Sequence, residues 1–207
     1  MSIDAELEKL EQWISYLPKI GMKTLGGDGQ PMYILDFIII GVIKRSLSLA
    51  SGLHDLVKSK NMTCSRAIVR MELDTVSRLL AYTYVDEPSE MATAVIGGKA
   101  LNSFKCRDGK NLRDSYLIDK MADKHPWVKD VYKYTSGYVH FSEKQVFDSI
   151  CSIGNEEDRT VTFQVSKEDH NFPEESWVET VACFNEMLSI LGELLVTYRD
   201  ELKQAEA

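Results

Sequence analysis

Two stretches of this chain hold side chains whose types and spacing can do chemistry. In the first, Arg66, Arg70, Asp74 and Arg78 recur every four residues, which stacks them one turn apart on a helix face. Three guanidinium groups on one face suit a phosphate. The same set also reads as a salt-bridged surface, with Arg70–Asp74 and Asp74–Arg78 as i,i+4 pairs worth only tenths of a kcal/mol. Glu72 falls toward a different side, near the apolar stripe of that helix. A carboxylate drawn into a helical bundle needs a basic or hydrogen-bonding partner, and such pairs often lie near sites.

The second stretch runs from Trp127 to Ser142. Trp127, Val131, Tyr134 and Tyr138 share one helix face, which leaves His140 just beyond the helix end among Thr135, Ser136 and Ser142. A helix C-terminus favours a cation there, so His140 reads either as an acid or base or as a structural ring that bonds a backbone carbonyl. Other chemistries find no pattern. His54, His125, His140 and His170 are widely separated, and Cys64, Cys106, Cys151 and Cys183 have no ligand spacing, so neither a metal site nor a cofactor is expected. There is no nucleophile elbow, and Gly97-Gly-Lys99 is too short for a phosphate loop.

These groups need helices to position them. Residues 1–30 read as an amphipathic helix ending before Pro18, followed by a flexible turn at Gly26–Gly29. From Pro31 to about Lys60 the period is helical, with Leu35, Ile38, Val42, Leu49, Leu53 and Leu56 on one side. Cys64 to Val85 forms the next long helix, its stripe carried by Val69, Leu73, Val76 and Leu80. An irregular loop over 97–110 precedes two shorter helices, about 113–124 and 126–138. The period then drops to two: Val146–Ile153 and Thr160–Val165 alternate around Gly154–Asp158, the pattern of a β-hairpin. A lone hairpin is marginal in water, so it is expected to pack on the helices. Over 173–203 a last helix places Trp177, Val181, Phe184, Leu188, Leu191, Leu195 and Tyr198 in one seam. Such a seam is a core or a helix-pairing surface, and the core is the simpler assignment. The expectation is one mainly α domain over 1–207, a helical bundle (31–142) with a small β-hairpin (143–168) inserted before a long C-terminal helix.

Charge is unevenly spread across the 207 residues, which carry a net −8. Residues 141–207 hold 15 Asp/Glu against 5 Lys/Arg, whereas 99–133 hold nine basic and five acidic residues. An acidic protein has no long-range pull on nucleic acid, so RNA binding would rest on a local patch such as 99–133. The longest apolar run, Phe37–Ile43, falls far short of the ~20 residues of a spanning helix, so no membrane is expected. The acidic N-terminus is unlike a secretory signal, and the four cysteines are expected as reduced thiols of a cytoplasmic protein.

The run Tyr134-Thr-Ser-Gly-Tyr-Val-His-Phe-Ser142, preceded by a helix holding Arg70 and Glu72, resembles uncharacterised bacterial proteins of the HEPN-like type. The similarity spans roughly Met32 to Ser142, and the hairpin with the last helix looks like an extension. The resemblance implies a small helical bundle that dimerises. It also implies kinship with metal-independent ribonucleases of toxin–antitoxin and abortive-infection systems. The family motif is an Arg, four to six residues, then a His near a helix end, and His140 matches that His. At the permitted spacing before it only Lys133 is basic; Arg66 or Arg70 would have to bring a guanidinium from another helix.

Two functions follow. The first is a non-catalytic HEPN-like binding module in bacterial defence or stress, docking a protein or nucleotide through the last helix's seam and the acidic C-terminal third. The alternative is a metal-independent ribonuclease, with His140 as acid or base, Lys133 or Arg70 steadying the scissile phosphate, and Glu72 as a further candidate whose place relative to His140 the sequence leaves open.

Overall fold

A computed structural model describes residues 2–27, 29, 31–154 and 159–199. Among these the chain is mainly helical: α1 (Ile3–Leu25), α2 (Ile34–Lys58), α3 (Met62–Leu80), α4 (Pro88–Ile96), α5 (Asp114–Ala122), α6 (Val128–Val139), α7 (Glu143–Asp148) and α8 (Glu174–Thr197), with a two-stranded hairpin, β1 (Ile150–Ile153) and β2 (Val161–Phe163), before α8. The expected class, a helical bundle with a hairpin ahead of a long last helix, is the one found.

α3 is the hub, packed against α2, α5, α6 and α8, while α1 closes the other side of α8. Every member of the α8 seam is buried, with Val181, Phe184, Leu191 and Leu195 fully enclosed. By length and hydropathy α8 is the one described helix that could cross a membrane, yet that apolar seam is the bundle core. The seam is therefore no docking surface, which corrects the expectation that a partner binds there. Two buried polar ties fix α8 in place. Asn185 Nδ2 donates to Glu6 Oε2 on α1 (2.8 Å), and the Tyr198 hydroxyl donates to Asp36 Oδ1 on α2 (2.7 Å).

Local corrections have physical causes. α1 does not stop at Pro18 but carries it inside the helix to Leu25. Burial of Leu17 just before the proline and of Gly21 and Thr24 past it offsets the lost backbone bond. Gly26 then ends it in the left-handed conformation (φ 90°), with Gly27 N–H reaching Met22 O, a Schellman close. On α2 the inward stripe is Leu35, Ile39, Ile43, Leu53 and Val57, and Ile38, Val42 and Leu56 are only half-buried beside it.

The largest departure is at 143–148. There Val146 and Phe147 stand in a helical turn, not a strand, because Ser142 caps α7 and Gln145 Oε1 takes the Ser142 N–H (2.8 Å). The strands that follow do not pack into the bundle either. Ile153 is 74% exposed and Phe163 56%. Loop residues 155–158 and the expected helix end at Lys203 lie outside the described residues.

Candidate functional site

α3 and α6 lie side by side, and the residues on α3 that the sequence groups as one row divide between two surroundings. Arg70 Nη1 lies 3.8 Å from Asp74, whose other oxygen takes Arg78 Nε at 2.9 Å. Arg78 also reaches Asp114 of α5 at 3.4 Å. The two expected i,i+4 pairs are present.

Beside this ladder opens a cleft of about 360 Å³ between α2, α3, the start of α5 and the C-terminal end of α6. Its lining brings Arg70 and His140 together, and adds Arg45 from α2 and Tyr132 and Ser136 from α6. The Arg70 guanidinium lies 4.3 Å over the Tyr132 ring, which holds the charge against the wall. Arg45 donates through Nε to Thr75 Oγ1 (2.9 Å) and makes no salt bridge among the described residues, although its charge is felt by the buried Glu72 carboxyl behind it. Val139 and His140 stand where α6 ends and the chain turns extended (His140 ψ 147°). Ser142 Oγ and Gln145 Nε2 both donate to Gly137 O, folding α7 back and leaving the His140 ring at the open rim. Gly137 is needed at that corner: a Cβ there would come within 2.9 Å of Ser142 Oγ and Lys144 Cγ.

The other residues named from the sequence go elsewhere. Arg66 turns inward, donating to the Tyr138 hydroxyl and lying 3.6 Å from Asp148 Oδ2, with its guanidinium against the rings of Tyr134, Tyr138 and Phe172. Burial pushes the Asp148 carboxyl up, against the neighbouring Tyr138 hydroxyl and Arg66 charge. Arg66 is thus a structural cation. Glu72 is fully enclosed and does not line the cleft; Ser46 Oγ on α2 donates to its Oε1 at 2.7 Å, and Oε2 has no hydrogen-bond partner. Burial raises this carboxyl to about 7, against the Ser46 bond and the Arg45 charge. The spatial relation of Glu72 and His140, which the sequence leaves open, is that they do not share the lining of this cleft. Lys133 is exposed and also outside the lining, whose cations come from α2 and α3.

No family model, curated protein or solved structure matched this chain.

A larger hollow of about 450 Å³ between α3, α6 and α8 contains Arg66, Asp130, Glu179 and Cys183. Its arginine is already engaged, and burial pushes the Cys183 thiol up to about 12, so it offers no nucleophile. Within the 99–133 stretch several cations are already engaged: Arg107 binds Asp86 and the carbonyls of Thr83 and Val85, Lys129 pairs with Asp119 at 2.8 Å, and Lys120 lies over Tyr84 and Tyr116. Among the described residues no group of three or more His, Cys, Asp or Glu side chains is arranged to hold a metal. Sequence reasoning missed Arg45 and Tyr132, whose roles exist only once α2 and α6 meet α3. No local signal marks either.

Proposed function

We propose that this protein is a cytoplasmic HEPN-like binding module whose ligand is a phosphodiester chain, single-stranded RNA, held in the cleft between α2, α3 and α6. The observation that carries the reading is the convergence of Arg45, Arg70 and His140 on one open cleft, with no salt bridge to Arg45 among the described residues. Arginine forks suit phosphate oxygens, and the exposed His140 ring at the α6 end offers a face on which a base stacks. A local patch of this kind is what a chain of net −8 requires.

The ribonuclease reading keeps one specific support, the shared cleft of His140 and Arg70. Binding without cleavage is preferred because no described side chain orients the His140 ring and the cleft carboxylates Asp74 and Asp114 are both engaged by Arg78.

The test is fluorescence anisotropy with a labelled ten-nucleotide RNA across a salt series, in EDTA. Two or three neutralised phosphates give a log–log salt slope of about −1.4 to −2.1, with the RNA intact. Salt-independent binding, or none, overturns the reading. Cleavage that His140→Ala abolishes would replace it with the enzyme.

A further inference from the structure

We propose that Glu72 is the positioning residue of the cleft: a proton on its buried carboxyl leaves the Arg45 charge to a bound phosphate, and loss of that proton draws the charge back. This rests on the cleft's being an RNA site and adds how that site is regulated. α2 and α3 are tied by two neighbouring contacts. Ser46 Oγ donates to Glu72 Oε1 at 2.7 Å, and Arg45 Nε donates to Thr75 Oγ1 at 2.9 Å. Glu72 and Thr75 stand one turn apart on α3, and both are buried, so the adjacent residues Arg45 and Ser46 grip the same stretch of its inner face. Thr75 gives its own hydroxyl proton to Met71 O at 2.8 Å, which fixes it as an acceptor for Arg45. The Arg45 side chain is thereby anchored at the border of core and cleft, since it also lines the cleft.

Glu72 Oε2 is the unsatisfied atom of this border. It is enclosed and has no hydrogen-bond partner among the described residues. Such an oxygen is stable in a core when the carboxyl is neutral, or when a cation turns toward it. The cation whose charge acts on it is Arg45. An ionised Glu72 and a bound phosphate therefore compete for one guanidinium. Burial sets the titration at about 7, so both forms are present near neutral pH. The other charged and titratable groups of the cleft are Arg70 and Asp74 from α3, Asp114 from α5, and Tyr132 and His140 from α6, while α8 lies outside its lining. Among them His140 is an imidazole, which also gains positive charge as pH falls, and the test removes it. Binding is coupled to proton uptake at Glu72, and by linkage RNA is held more tightly at lower pH.

The experiment measures the dissociation constant of a rhodamine-labelled ten-nucleotide RNA without terminal phosphates at pH 6 and pH 8. It compares His140→Ala with the same variant carrying Glu72→Gln or Arg45→Ala. The single variant binds about two- to fivefold tighter at pH 6 than at pH 8. Adding Glu72→Gln, which keeps an acceptor for Ser46 and does not ionise, gives at pH 8 the affinity the single variant has at pH 6, and removes the pH dependence. Adding Arg45→Ala removes the pH dependence too, because Glu72 acts through Arg45. A pH dependence that survives either addition, or one already absent from His140→Ala, overturns the proposal and leaves the cleft as an RNA site. RNA bound by the wild type at neither pH overturns both.

Discussion

The Glu72 carboxyl has exchanged water for one hydrogen bond, from Ser46, and its second oxygen is buried without a partner. Burial favours the protonated form and lifts its titration from 4.5 to about 7. The unfolded chain releases this proton near the ordinary value and the folded chain only near 7. The stabilisation is therefore complete below about 4.5 and falls as pH rises through 7. Glu72→Gln keeps the Ser46 acceptor and removes the titration. Urea unfolding should show the variant more stable than the wild type by about 2–3 kcal/mol at pH 8, with the difference shrinking toward zero at pH 4.5. A difference that does not change with pH would contradict this account of Glu72.

α3 places two arginines one turn apart in unlike surroundings, and the outcome of removing each differs accordingly. Arg66→Ala strips the partner from half-buried Asp148 and the packing from three rings, so it should cost about 3 kcal/mol by chemical denaturation. Arg70→Ala leaves Asp74 with Arg78 and should cost under about 1 kcal/mol. At the α6–α7 corner, Ser142→Ala removes the cap and one bond to Gly137 O, a loss of about 1 kcal/mol, and hydrogen exchange at 143–148 should quicken. Legibility follows the range of the interaction. The Arg70–Asp74–Arg78 ladder and the α8 seam are set by helical spacing alone, and both are read correctly from sequence. Arg66 is misplaced in such a reading because Tyr138, Asp148 and Phe172 are remote along the chain. Val146 and Phe147 alternate like a strand, but the Ser142–Gln145 capping box overrides that short pattern.

Across the whole molecule, charge is unevenly spread. Arg45, Arg70 and His140 share the cleft where α2, α3 and α6 converge, while the acidic C-terminal third carries the exposed hairpin. The class of fold was legible because helical period persists over most of the chain and period two occurs once. The site was legible in half: His140 and Arg70 stand out by type and position, whereas Arg45 enters only through packing, and Glu72 and Lys133 share the right segments but not the cleft. Lys133→Ala should therefore leave RNA affinity within about twofold, although Lys133 sits at motif spacing from His140. The most direct measurement is the dissociation constant of a labelled ten-nucleotide RNA for wild type, Arg45→Ala, Arg70→Ala, His140→Ala and Lys133→Ala at one salt concentration. The cleft predicts a loss of about three- to tenfold for each of the first three variants and none for Lys133→Ala; a loss confined to Lys133→Ala, with the cleft variants binding as wild type, would contradict it.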